Sequence, residues 1–189
     1  MAQVEGAFGS YSPGERMPWE TGVGLGVLAF AVGYLVSFVD MANAFAAGMV
    51  PEAVSGVGKF KLAVYVLLDA HHTGIGALFD NVARNVQFQP GPVLVVTPPV
   101  LLFVAGFLMA KGYDVSGPAR GASFALTLAA GYGTLAFVLT LFSAIDLGMN
   151  VAGSQGVITI PFFSTVFMAA ILYPLLFGGL GGLLGGYRT

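Results

Sequence analysis

Residues 21–39 read TGVGLGVLAFAVGYLVSFV, without one Asp, Glu, Lys or Arg. A helix that crosses the roughly 30 Å hydrocarbon layer of a bilayer needs about 20 mainly apolar residues. This stretch is long enough to cross. Three more charge-free stretches follow, at residues 93–110, 121–145 and 157–187. The pattern predicts an all-α, polytopic membrane protein with four transmembrane helices, at about 21–39, 93–110, 121–145 and 157–186. Together they form a single membrane domain over 21–187, preceded by a tail at 1–20.

Composition points the same way. The chain is 57% hydrophobic and only 8% charged, where soluble domains carry about 25% charged residues. Its mean hydropathy is +0.86. Twenty-eight glycines suit a membrane interior, where small residues let helix backbones approach closely. There is no cysteine, which excludes disulfides, thiolate metal sites and a cysteine nucleophile. A formal charge of −2 without a basic cluster argues against nucleic acid as a partner. Ala42-Asn43-Ala44 imitates a signal-peptidase site after the first apolar run. That run is longer than the 7–15 residues of a signal core, and Glu5, Glu15 and Glu20 oppose one Arg16 ahead of it, the wrong balance for a signal peptide. The first run therefore reads as a retained span, with Trp19 at the headgroup level.

The longest connection, residues 51–92, contains a helical stretch at about 53–70. Lys59 and Lys61 precede the apolar run Leu62-Ala63-Val64-Tyr65-Val66-Leu67-Leu68. Seven apolar residues are too few to span, so this reads as an outer-face helix, interfacial or partly re-entrant, with its lysines among headgroups. Proline marks the other breaks. Pro98 and Pro99 should kink or unwind the start of the second span. Pro161 and Pro174 fall in the fourth. Orientation follows the positive-inside rule. With both termini in the cytoplasm, Arg16, Lys111, Arg120 and Arg188 lie inside and the Asp146–Gly156 return lies outside. Lys59, Lys61 and Arg84 then fall outside, on a long connection of the kind that weighs less.

Two echoes suggest an internal repeat. Ala31-Val32-Gly33-Tyr34 resembles Ala129-Ala130-Gly131-Tyr132. Leu101-Leu102-Phe103 with Gly112-Tyr113 matches Leu175-Leu176-Phe177 with Gly186-Tyr187 at the same spacing. A duplicated two-helix unit would relate the halves by an axis along the membrane normal and put Tyr34 and Tyr132 at equivalent depths. Short matches among Gly, Leu, Phe and Tyr also arise by chance in membrane helices.

Few residues carry chemistry. Gly22 with Gly26, and Gly178 with Gly182 and Gly186, hold the four-residue spacing of close helix packing. They serve packing within the chain or self-association. Asp69-Ala70-His71-His72 places Asp69 and His72 on one helix face, a spacing used in di-iron bundles with Glu in place of Asp, and Asp80 lies within reach. Two histidines fall short of such a site, and zinc wants three or four ligands, so Asp69, His71 and His72 are only weak metal candidates. The plainer reading is a wet helix end. Asp40, Asn43, Asp146 and Asn150 sit at span ends as ordinary interfacial residues or as an acidic vestibule. Both histidines share one segment, which leaves no Ser/His/Asp triad. No catalytic or cofactor-binding residue is expected.

The runs Phe60-Lys61-Leu62 through Ala70-His71, Pro98-Pro99-Val100-Leu101-Leu102 with Ala105-Gly106-Phe107, and Tyr173-Pro174-Leu175-Leu176-Phe177-Gly178-Gly179 resemble small multi-pass membrane proteins of halophilic archaea. These are grouped as a domain of unknown function, and the likeness covers roughly residue 21 to the C-terminus. It implies a cell-membrane location and no mechanism. The expected role is a non-enzymatic structural or accessory subunit, partnered by the bilayer and by its own copies or a larger membrane complex. The alternative is a small channel or transporter lined by the proline-broken second and fourth helices.

Overall fold

A computed structural model of the chain describes residues 17–50, 58–74, 90–142, 145–151, 154–158 and 160–187. Four helices are long and apolar enough to cross a membrane: Trp19–Ala46, Pro92–Gly112, Pro118–Leu141 and Phe162–Gly185. The first is α1. A short helix α2, Lys59–Asp69, precedes the second span, α3, Pro92–Gly112. The third span is α4, Pro118–Ser123, and α5, Ala125–Leu141, meeting at Phe124. The strands β1, Ile145–Val151, and β2, Ser154–Ile158, form an antiparallel hairpin. The fourth span opens as α6, Phe162–Thr165, and closes as α7, Gly179–Gly185. Between them lie two π-helical segments, Val166–Leu172 and Pro174–Gly178.

Every span carries large apolar side chains on its outer face. Leu35 is 58% exposed, Val93 71% and Phe163 86%. Water-soluble monomers rarely leave such surface uncovered. Lipid is the solvent these faces fit.

Several boundaries depart from the sequence expectations. The third span stops at Leu141 rather than Ile145, and the fourth starts at Phe162 rather than Val157, because the return between them is a paired hairpin. Ile145 pairs with Ile158 and Val151 with Ser154, with an irregularity between Asp146 and Asn150. The second span stays helical through Pro98 and Pro99 instead of unwinding. Each proline removes one amide donor, yet Pro98 is buried. Thr97 also ties its hydroxyl to the Val93 carbonyl at 2.8 Å, which braces the turn ahead of the pair. Pro174 falls where one π-helical segment gives way to the next. Widening of that kind adjusts the register of backbone bonds around a missing donor.

Of the two readings of the helix after Lys59, interfacial or partly re-entrant, α2 fits the re-entrant one. Leu62 through Leu68 are all buried, because seven consecutive apolar residues leave no polar side for an interface to wet. The helix runs antiparallel along α1. Phe60 stacks on Phe38 at 4.8 Å and Lys59 sits 5.5 Å over the Phe45 ring. Further in, the Ser37 hydroxyl donates to the Ala63 carbonyl at 2.7 Å. Eleven residues give about 16 Å of helix, half a bilayer, so α2 ends inside the bundle. Residues 53–57 of the expected helix lie outside the described residues, as do 1–16 of the tail.

Around the bundle the order is α1, α3, fourth span, α5. The first span packs on α3 and α5, the fourth span packs on both of these, and α3 and α5 barely touch. The expected repeat fails here. A two-fold axis along the membrane normal would put the first and third spans, and the second and fourth, diagonally opposite; both pairs are neighbours. Tyr34 and Tyr132 also meet opposite ends of α2, Tyr34 at Phe60 and Tyr132 at His71.

Glycine sets the closest crossings. A methyl on Gly26 would strike the Leu128 carbonyl, and one on Gly22 the Thr127 side chain. Gly182 meets the backbone of Gly121, Gly186 that of Gly117, and Gly178 the side chain of Leu128. Gly24, on the same helix as Gly26, meets nothing within 4 Å. Gly26→Ala should lower the unfolding free energy in detergent by about 1–3 kcal/mol through overpacking. Gly24→Ala should leave it unchanged or slightly raised. Thermal unfolding of the two purified variants checks both.

Candidate functional site

The inner end of α2 is where polar side chains gather inside the apolar bundle. The chain leaves the helix at Asp69 and turns back with His72 and Gly74 at positive φ, 57° and 81°. His71, at that tip, is fully buried. Its Nδ1 lies 2.9 Å from the Leu67 carbonyl and its Nε2 lies 2.7 Å from the Tyr132 hydroxyl. A carbonyl oxygen can only accept, so Nδ1 carries the proton. In the neutral ring Nε2 then accepts from Tyr132. Both nitrogens are engaged.

Aromatic rings close around the imidazole. Tyr173 stands 4.7 Å from it and Tyr132 5.7 Å, between ring centroids. Phe30 meets Tyr132 edge-on at 5.0 Å, and Phe177 backs Tyr173 at 5.1 Å. Tyr173 falls at the midpoint of Phe162–Gly185 and Tyr132 a little past the midpoint of Pro118–Leu141. The histidine therefore sits near mid-depth of the bundle. The turn after α2 is tied down as well. The Thr73 hydroxyl donates to the Leu68 carbonyl at 3.2 Å, and the Ser164 hydroxyl to the Thr73 carbonyl at 2.8 Å.

This arrangement does not bring the metal candidates together. His71 faces Tyr132, whereas His72 is exposed and Asp69 is half-exposed. Among the described residues no group of three His, Asp or Glu side chains converges. Asp80 lies outside the described residues, and so do Arg16, Arg84 and Arg188. Asp40 and Asn43 are exposed near the end of α1, and Asp146 and Asn150 lie on β1.

The sequence reading missed Tyr132, Tyr173, Thr73 and Ser164 as partners of one centre. A signal was available. Tyrosine in membrane helices prefers the interfaces, and both tyrosines fall in the middle of apolar runs.

A family model matches residues 1–189, the full chain, and its description is a family of unknown function, DUF7978. The chain belongs to this family. No curated protein and no solved structure matches. The family carries no activity over to His71 or its neighbours, so what the centre does rests on its geometry.

That geometry is first a latch. Tyr132→Phe would leave the His71 Nε2 buried without a donor, which costs about 1–3 kcal/mol. Tyr34→Phe removes an exposed 3.3 Å bond to the Phe60 carbonyl and should cost less than about 1 kcal/mol. Unfolding of both variants in the same detergent should rank them in that order, and equal costs would contradict the latch.

Proposed function

We propose that the chain is a non-enzymatic scaffold or accessory subunit of a membrane assembly, built to hold a re-entrant segment at mid-depth. One observation supports this above the others: nearly all buried polar side chains are spent within the chain. Ser37, His71, Thr73, Thr127 and Thr140 are buried and each spends its side chain on backbone or on another side chain, while Thr165 alone of the buried polar side chains among the described residues has no partner. Two grooves among the described residues are apolar as well. One, of about 610 Å³, runs between α1 and α3 along Val32, Val36, Val96 and Val100. The other, about 460 Å³, lies between α1, α2 and α5 along Phe30, Leu135 and Leu139, with Lys61 at its wall.

The partners in this reading are the bilayer and either further copies or a larger membrane complex, with no nucleic acid. Both termini face the cytoplasm of a cell membrane. Lys111 and Arg120 then accompany the termini, with Lys111 Nζ 3.4 Å from the Tyr187 carbonyl. Lys59 and Lys61 belong to the opposite end.

A second reading, a small channel or carrier, draws on one specific feature. A half-helix ends at mid-depth beside a fourth span that is π-helical around Pro174. Discontinuous helices at the midplane recur in transporters.

Light scattering in mild detergent decides between stoichiometries. The scaffold reading expects a protein mass of at least twice the 19.5 kDa chain or a co-purifying partner. A bare monomer that passes ions or small solutes in proteoliposomes would overturn it in favour of the carrier. The cysteine-free sequence gives a clean test of orientation. On intact cells a membrane-impermeant maleimide should label Met49→Cys and spare Tyr187→Cys, at two positions that are both exposed.

A further inference from the structure

A groove of about 460 Å³ between α1, α2 and α5 is left open by the described residues. On α5 its wall is the stripe Leu135, Leu139 and Phe142, and on α1 it is Phe30, Ala31 and Tyr34. Phe142 caps the end of α5 and is 78% exposed. Phe30, at the other end of the groove, meets Tyr132 near mid-depth. The groove therefore runs inward from the rim of the bundle for about one leaflet, which is the reach of a single acyl chain.

Lys61 changes what this groove selects. It lines the groove half-buried, between Phe60 and Val64 of α2. As the third residue of α2 it lies toward the rim, where a lysine extends its ammonium to headgroup level. Among the described residues no Asp or Glu lines the groove with it. Lys59 stands at the same end, 5.5 Å over the Phe45 ring, close to where α1 stops at Ala46. The N-terminus of α2 lies there too, with Gly58 as its cap, and its partial positive charge adds to that of the lysines. The groove between α1 and α3 is the internal contrast. It is larger, about 610 Å³, and no charged side chain lines it. Cations above an apolar channel are the complement, in charge and in shape, of a lipid with an anionic head.

We propose that the groove between α1, α2 and α5 is a binding site for an anionic phospholipid of the surrounding bilayer. One acyl chain lies along Ala31, Leu135 and Leu139. The phosphate accepts hydrogen bonds from the Lys61 ammonium, and Lys59 adds attraction at longer range. An apolar helix of a second copy gains nothing from a lysine at the rim, whereas a phosphodiester does. The site holds in either orientation of the bundle, and whether the protein is scaffold or carrier.

The test is thermal unfolding of the purified full chain in mild detergent, titrated with dioleoyl phosphatidylglycerol or dioleoyl phosphatidylcholine. The two lipids share their acyl chains, so a difference between them reports the headgroup. Phosphatidylglycerol should raise the midpoint saturably, by about 3 °C or more above phosphatidylcholine. Lys61→Gln should abolish that difference. Ala31→Trp, which fills the groove from an exposed position, should abolish it as well, and Val96→Trp in the α1–α3 groove should leave it intact. Equal midpoints in the two lipids, a difference undiminished in Lys61→Gln or Ala31→Trp, or one lost in Val96→Trp would overturn the proposal. So would midpoints indifferent to lipid with a light-scattering mass that falls in Ala31→Trp, since the groove would then be a contact between copies. Should the variants fail to fold, native mass spectrometry of the parent, offered equal amounts of both lipids, decides. Preferential retention of one phosphatidylglycerol upholds the site, and equal retention ends it.

Discussion

A helix that stops inside a bilayer must satisfy its last carbonyls without water. In hydrocarbon each unsatisfied backbone group costs several kcal/mol, and at the end of α2 His71 and Thr73 are buried. The chain answers with side chains placed at that end. His71 reaches back to the Leu67 carbonyl, Thr73 to Leu68, and Ser164 from the fourth span to Thr73. His71 then needs a donor of its own, and Tyr132 on α5 supplies one. The tip is thereby stitched to two different spans, which fixes how deep α2 inserts.

Such a tip can sit between the spans only if the surrounding helices hold their places, and glycine does much of that holding. At the end with the termini, Gly22 and Gly26 let α1 cross α5, and Gly131 faces Val23 from the other side. Gly106 meets Gly178, and Gly181 meets the Phe103 backbone. The Gly117 amide also donates to the Gly186 carbonyl at 3.1 Å. The four spans are thus drawn tight at one end. Toward the hairpin end α2 packs along α1, and its seven apolar residues are buried there. The glycine stripe of the fourth span is occupied within the chain, so association between copies would have to use other surfaces.

The fourth span shows how packing reshapes a helix. Its sequence from Phe162 to Gly185 is as apolar as the others, but Pro174 removes an amide in mid-run. The backbone widens into π-helical turns on both sides. Widened turns of this kind often mark functional places, and here they bring Tyr173 beside His71 while Gly178–Gly186 continues along α3 and α4. One proline thus separates a gripping half of the helix from a half that borders the polar centre.

Charge-free length was enough to place the four spans, because crossing hydrocarbon is a local requirement that each segment meets or fails alone. The glycine spacing of Gly22 with Gly26, and of Gly178 with Gly182 and Gly186, was legible for the same reason. Ring order was not, and the echoes around Tyr34 and Tyr132 suggested a repeat that neighbouring spans rule out. Nor could the run Leu62–Leu68 say whether it lies on the bundle or in it, since seven apolar residues satisfy either description until the space between α1, α5 and the fourth span is known. His71 looked like a helix-end residue in company with Asp69 and His72. Only tertiary packing gave it Tyr132 and Tyr173, from positions more than sixty and one hundred residues away, because a buried polar group takes its meaning from partners that the fold, and not the neighbouring sequence, delivers.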